Sequence, residues 1–191
     1  MKNRNIFKFL PVILAASLFF DSCKREVPGC TNIFSDNYNS SATVDDGSCY
    51  KYGCTDPEAE NYDPKATQNA ECVYLWQQLQ GNWQTSDTYT AYGCTGGSKN
   101  YICTVSKGDG NRQIKISNFA GMGTEAVLTC NITTSLYIQI PDQSISGIMA
   151  GTWTVTVSYG VLNLEKTGMS ISYRIEKSGC TLYGSASLTK M

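Results

Sequence analysis

The chain has 191 residues, including nine cysteines and no histidine, and its formal net charge is −1 at pH 7. The absence of histidine removes the commonest general base and metal-ligating side chain, and the near-neutral charge excludes the basic footprint of a nucleic-acid-binding protein. We therefore expect no enzyme activity, metal site, cofactor or nucleic-acid partner.

The first 22 residues have the layout of a secretory signal peptide. Lys2, Arg4 and Lys8 precede an apolar run over residues 9–20, which is interrupted only by Pro11 and Ser17. Twelve residues are too few for a transmembrane helix, which needs about 20. Residues 1–22 carry three bases and one acid, so the rest of the chain has a net charge of −3.

Asp21, Ser22 and Cys23 follow this apolar run directly. They resemble the lipobox of bacterial lipoproteins, of the loose kind seen in Bacteroidetes. The resemblance implies cleavage after Ser22, acylation of Cys23 and a lipidated linker over residues 23–28. Two or more acyl chains form a stable anchor. We therefore expect a lipid-anchored envelope protein whose partner is the bilayer of the outer membrane, with its periplasmic or surface face left open.

A short motif occurs twice over residues 29–73, with an offset of 24 residues. The matching triplets are Gly29-Cys30-Thr31 and Gly53-Cys54-Thr55, followed by Asn37-Tyr38 and Asn61-Tyr62, then Ala42-Thr43 and Ala66-Thr67. A unit this small cannot bury a core alone. We predict disulfides within each repeat, Cys30 with Cys49 and Cys54 with Cys72, each of which closes a loop worth about 3 kcal/mol.

The pattern Gly53-Cys54-Thr55-Asp56-Pro57 resembles a cysteine repeat of secreted and surface proteins of Bacteroidetes. The resemblance implies an extracytoplasmic spacer. Acidic residues such as Asp45 and Asp46 also suggest calcium, but Asp-Asp-Gly and Asp-Pro are typical turn sequences. We expect solvated turns and leave calcium binding open.

Residues 75–191 predict one all-β domain. A short helical turn near residues 74–80 is followed by segments in which apolar residues alternate with polar ones, as in Thr152 to Tyr159, where Trp153, Val155, Val157 and Tyr159 share a face. Turn signals such as Gly108-Asp109-Gly110-Asn111 separate them. We predict an antiparallel, lipocalin-like barrel of about eight strands in meander order.

The four cysteines of this domain are assigned from strand order. The first and last strands of an even meander are antiparallel neighbours, which favours Cys94 with Cys180. Cys103 and Cys130 both fall on apolar faces, so we predict a second bond between them and leave Cys94 with Cys103 as the alternative. Leu79-Gln80-Gly81-Asn82-Trp83 resembles the Gly-X-Trp opening of lipocalin-like barrels, which implies an apolar cavity and no assigned catalytic residues.

An eight-stranded barrel is just wide enough to hold one small ligand. The predicted ligand-binding residues are aromatic and are expected to line or cap a cavity: Trp83, Tyr101, Trp153, Tyr173 and Tyr183. The alternatives are core filling by these side chains, glycan stacking on Tyr89 and Tyr92 in an adhesin, and contact with another envelope protein. The acids Asp87, Asp109, Glu125, Asp142, Glu165 and Glu176 mostly fall in predicted turns or on solvent faces, where they suggest no catalysis.

Overall fold

A computed structural model describes residues 25–134, 136–147 and 151–191. The predicted signal peptide and Cys23 lie outside the described residues. The described residues fall into two compact units, which are divided between Lys51 and Tyr52. The two repeats are alike in sequence, but the second repeat falls in the same compact unit as the barrel.

The first unit contains one small parallel bridge between β1 (Pro28–Gly29) and β2 (Val44–Asp45). The Cys30–Cys49 disulfide lies beside it, as predicted. In the second unit, β3 (Tyr52–Gly53) and β4 (Gln68–Asn69) form the matching parallel bridge, and the predicted Cys54–Cys72 disulfide is also present. Each repeat therefore has little regular structure and one covalent staple.

The turn prediction for the acidic residues of the repeats is confirmed. Asp45 and Asp46 accept hydrogen bonds from the amides of Gly47 and Ser48, at 3.0 and 2.9 Å. Asp63 accepts one from the amide of Lys65 at 2.9 Å. Each carboxylate thus closes a local turn through the backbone two residues on.

The second repeat is held against the barrel by polar contacts. Asp56 Oδ2 accepts hydrogen bonds from the Tyr74 hydroxyl at 2.7 Å and from Asn111 Nδ2 at 3.2 Å. Lys166 Nζ lies 3.1 Å from Glu60 Oε2. Asn111 and Lys166 belong to two different hairpin turns, so the repeat joins the barrel at two points on one end.

The predicted short helix is α1 (Leu75–Leu79), and nine strands follow it in the part of the chain that the structure describes. Their bounds are β5 (Gly81–Tyr92), β6 (Gly97–Lys107), β7 (Gln113–Ser117), β8 (Leu128–Ile132), β9 (Tyr137–Ile140), β10 (Gln143–Ser146), β11 (Thr152–Leu162), β12 (Gly168–Lys177) and β13 (Cys180–Lys190). A 3-10 turn, Phe119–Gly121, separates β7 from β8.

These strands close into an antiparallel barrel of eight strands, because β9 and β10 together occupy one position. β11 pairs with β10 over its first half and with β9 over its second half, and β13 pairs with β5. The interruption falls at Pro141, which has no amide hydrogen to give to the ladder. The predicted barrel is confirmed.

The predicted inward face of β11 is correct only for the first half of the strand. Trp153 and Val155 are buried, but a register shift between Thr156 and Tyr159 reverses the alternation, so Tyr159 is 57% exposed and Ser158 is buried. A β-bulge inserts a residue that the period of two does not count. The prediction that Tyr159 shares the inward face is therefore wrong.

One end of the barrel interior is filled by α1 and Trp83. Leu75 and Leu79 are buried in the core, and Trp83 Nε1 donates a 2.8 Å hydrogen bond to the Leu79 carbonyl oxygen. Trp83 itself has no exposed surface. This end is a packed core, so a ligand site inside the barrel would have to open at the opposite end.

Candidate functional site

The opposite end of the barrel carries a cleft of about 430 Å³, which we call the mouth cleft. It is lined by Tyr89, Cys94, Thr95, Trp153, Lys177, Ser178, Cys180 and Leu182. The β5–β6 connection and the β12–β13 turn form its rim, and Trp153, at the start of β11, forms one wall. The cleft is therefore built from four strands that meet at the barrel end.

The Cys94–Cys180 disulfide shapes this rim. It joins the end of the β5–β6 hairpin to the first residue of β13, across 86 residues of sequence, and it confirms the predicted pairing. The loop from Gly93 to Gly96 is thereby tied to the strand that carries Leu182. The cleft wall thus depends on a covalent bond as well as on the sheet.

Apolar and cationic groups meet in the mouth cleft. Trp153 is 7% exposed, and the ammonium of Lys177 lies 5.8 Å from its ring centroid, a cation–π distance. Trp153 Nε1 is buried without a hydrogen-bond partner among the described residues. Indole N–H groups normally find an acceptor when buried, so this donor is unsatisfied within the described residues.

A buried polar cluster lies deeper in the barrel than the cleft. Asp87 precedes Tyr89 by two residues on the inward face of β5 and is 1% exposed. Its Oδ2 accepts hydrogen bonds from the hydroxyls of Tyr173, at 2.7 Å, and Tyr101, at 3.2 Å. Its Oδ1 has no partner among the described residues. The expectation that these acids mostly occupy turns or solvent faces therefore fails for Asp87.

Burial dominates the ionisation of this cluster. It raises the pKa of Asp87 above the usual value, although the tyrosine hydrogen bonds and the Lys99 charge oppose this shift. Burial, followed by the Asp87 charge, raises the pKa of both Tyr101 and Tyr173. Both tyrosines therefore remain protonated donors at neutral pH.

Gly184 makes room for the cluster. It pairs with Tyr173 on one side and Tyr89 on the other. A Cβ added at Gly184 would lie 2.0 Å from Tyr173 Cζ, far inside contact distance. The Tyr173 ring therefore packs directly over the backbone of β13, and this places its hydroxyl on Asp87.

The five predicted ligand-binding residues divide into four positions. Trp153 lines the mouth cleft, and Trp83 fills the opposite end. Tyr101 and Tyr173 point inward and bond Asp87 without lining the cleft. Tyr183 is 44% exposed on the outer face, so the prediction that it lines the interior is wrong. Its position follows from parity, because the inward residues of β13 have even numbers.

Cleft residues that sequence reasoning missed include Lys177 and Leu182. The place of Leu182 at the barrel end depends on the register between β12 and β13. Tyr89 was considered only as an exposed glycan contact, whereas it is partly buried beside the cleft. The alternation of β5 was the available signal, because Tyr89 shares the parity of Trp83.

The predicted Cys103–Cys130 disulfide is absent, and both cysteines are free and buried. Cys130 lies opposite Ile114, which lies opposite Lys107, four residues beyond Cys103 on β6. Four residues span about 13 Å along a strand, and two strand spacings add about 10 Å sideways. A disulfide needs Cα atoms within about 7 Å. Cys103 and Cys130 therefore share the inward face of the barrel but lie too far apart to form a disulfide.

The outer face carries a different aromatic arrangement. The rings of Tyr92 and Tyr183 meet edge to face, with centroids 5.9 Å apart, and the Arg174 guanidinium lies 5.7 Å from the Tyr183 centroid. Ser172, Ser185 and Thr88 form a row of hydroxyl-bearing residues across the neighbouring strands. This surface is polar, with an aromatic edge.

No family model, curated protein or solved structure matches this chain. Over the described ranges, no three His, Cys, Asp or Glu residues are grouped to hold a metal ion. Within the same residues, no helix has the length and apolar character needed to cross a bilayer. The function is therefore inferred from the chemistry of the sites.

Proposed function

We propose that this protein is a membrane-anchored envelope lipoprotein whose barrel binds a small, largely apolar ligand in the mouth cleft, without catalysing a reaction. Anchoring is supported by the signal-like residues 1–22 and by Cys23, and the outer membrane is the proposed membrane. The three disulfides agree with an exported protein.

The observation that carries the binding proposal is the mouth cleft itself. Its volume of about 430 Å³ falls within the range of small-molecule sites, about 300–1,000 Å³. Trp153, Tyr89 and Leu182 provide apolar surface, while Lys177 provides a positive charge. A ligand with an apolar body and one anionic group matches this lining.

The lining also supports binding without catalysis. Its ionisable side chains are Tyr89 and Lys177, because Cys94 and Cys180 are joined in a disulfide. Nucleophilic catalysis needs a nucleophile and a base within hydrogen-bond reach of each other. The cleft residues include no carboxylate or free thiol for that purpose.

The test is native mass spectrometry of the mature chain after incubation with envelope lipid extract, or with a saturated fatty acid as a defined probe. A bound mass that survives desalting and disappears on denaturation is the expected result. Thr95→Trp should block the cleft from its exposed rim and reduce binding at least tenfold. Tyr183→Ser on the outer face is the matched control and should leave binding unchanged.

Glycan binding on the outer face is the second candidate, because Tyr92, Tyr183 and Arg174 form an exposed aromatic and cationic edge. The same pair of variants separates the two candidates. Binding of an oligosaccharide that is lost in Tyr183→Ser and retained in Thr95→Trp would support this candidate. An unliganded mass with every probe would contradict both.

A further inference from the structure

The first repeat exposes two large apolar side chains at the tip of a turn. Ile33 is 66% exposed and Phe34 is 78% exposed. The turn is closed by polar groups, because the Phe34 amide donates a 3.0 Å hydrogen bond to Asn32 Oδ1 and the Ser35 amide donates one to the Asn32 carbonyl oxygen at 3.0 Å. We call Ile33 and Phe34 the apolar tip.

The second repeat shows that this turn does not require apolar side chains. The equivalent positions are Pro57 and Glu58, and the Glu58 amide donates a 2.9 Å hydrogen bond to Asp56 Oδ1 in the same way. The same local fold therefore forms with a charged residue at the tip. Ile33 and Phe34 contribute nothing that the turn itself needs, and their apolar surface remains in contact with water.

The apolar tip is close in sequence to the predicted anchor. Ile33 lies ten positions after Cys23, and the described structure begins at Arg25, two positions after Cys23. Ten residues reach at most about 35 Å even when fully extended, so an acylated Cys23 would keep the tip within that distance of the bilayer surface.

We propose that the apolar tip inserts Ile33 and Phe34 into the interfacial region of the bilayer beside the lipid anchor, as a second contact that fixes the orientation of the first repeat. The inference rests on the proposed membrane anchoring. Burial of two large apolar side chains in lipid is favourable, whereas residues 25–51 carry four acids against two bases. The partner surface is therefore zwitterionic lipid, without a requirement for anionic headgroups.

The experiment supplies the anchor chemically, so that it does not depend on acylation in the cell. The mature chain is coupled through the Cys23 thiol to a maleimide lipid in phosphatidylcholine vesicles. Cys103 and Cys130 are 1% and 0% exposed and are protected from this reaction. Phe34→Trp adds a fluorophore at the tip, and Leu164→Trp adds one at a residue of equal exposure, 77%, in the turn between β11 and β12.

Lipids brominated on their acyl chains quench a tryptophan only when it enters the membrane. After subtraction of the parent chain, the added Phe34→Trp fluorescence should be quenched about threefold more than that of Leu164→Trp. Ile33→Asp in the Phe34→Trp chain should remove most of that difference, because it places a charge at the interface. Equal quenching of the two added tryptophans would overturn the proposal.

Metabolic labelling with a radioactive fatty acid in a bacterial host tests the anchor separately. Label in the parent chain that is lost in Cys23→Ser supports acylation. An unlabelled chain whose tethered form still shows tip quenching would refute the proposed anchor and retain the membrane-binding tip. A labelled chain without tip quenching would support the anchor and refute the insertion of the apolar tip.

Discussion

The hydroxyl of Tyr173 donates a 2.7 Å hydrogen bond to Oδ2 of Asp87, which joins β12 to β5 across the intervening strand β13. The two residues are 86 positions apart in sequence. The bond is possible because Gly184 on β13 leaves space for the tyrosine ring. The buried carboxyl group of Asp87 therefore links two strands, β5 and β12, that are not neighbours in the sheet.

Tyr173→Phe tests the contribution of this bond. It removes one of the two side-chain donors to Asp87 and leaves a buried carboxylate with less compensation. We expect the free energy of unfolding to fall by about 1.5–3 kcal/mol, the range for hydrogen bonds to charged groups. Urea unfolding followed by circular dichroism measures it. Tyr159→Phe, at an exposed position, is the control and should change stability by less than about 0.5 kcal/mol.

Gly184→Ala tests the space that the ring requires. The added methyl group would overlap Tyr173, so the ring must move away from Asp87. Overpacking of this kind costs about 1–3 kcal/mol. Gly110→Ala is the matched control, because no atom lies within 4 Å of its Cβ position. Equal unfolding midpoints for the two variants would show that the Tyr173 ring does not pack closely against Gly184.

The pH dependence of stability should reveal the buried carboxyl. Burial raises the pKa of Asp87 above its ordinary value of 3.8, so the folded state retains a proton that the unfolded chain has released. Its contribution to the free energy of unfolding is therefore fully present below pH 3.8 and is lost as pH rises through the folded-state pKa. Each unit of pKa shift corresponds to about 1.4 kcal/mol.

Asp87→Asn removes this ionisation and keeps an acceptor for Tyr173. The free energy of unfolding of Asp87→Asn minus that of the parent should become more positive between pH 4 and pH 7, measured by urea titration at each pH. Asp109→Asn, on the surface, corrects for the change in net charge. A difference that stays constant or falls with rising pH would argue against a raised pKa.

The sequence predicted the barrel because its strands alternate and its turns are marked by glycine and asparagine. It also predicted the Cys94–Cys180 bond, since strand order alone brings the first and last strands together. The predictions from sequence were wrong where the outcome depended on the register between neighbouring strands. The bulge in β11 turned Tyr159 outward, and a ladder offset separated Cys103 from Cys130. The mouth cleft was missed for the same reason, because its walls come from four strands whose relative heights the period of two does not encode.

The free cysteines give a direct chemical prediction. Cys103 and Cys130 are buried, and burial raises the pKa of both thiols, so the reactive thiolate is scarce. A Cys23→Ser mature chain should give no maleimide adduct when native and two adducts when unfolded without reductant. Mass spectrometry of the intact chain counts them. A denatured chain that gives no adducts would indicate that Cys103 and Cys130 are joined in a disulfide.

Removal of the Cys94–Cys180 disulfide should affect both stability and the mouth cleft. The bond spans 86 residues, so the chain-entropy model gives a loss of about 4.5 kcal/mol for Cys94→Ser/Cys180→Ser, against about 3 kcal/mol for Cys54→Ser/Cys72→Ser with its span of 18. Urea unfolding compares the two losses. Both cysteines of the longer bond line the cleft, and those of the shorter bond do not. Under conditions where both variants remain folded, ligand retained in native mass spectrometry should therefore fall only in the Cys94 variant. Equal retention in both would separate the cleft rim from ligand binding.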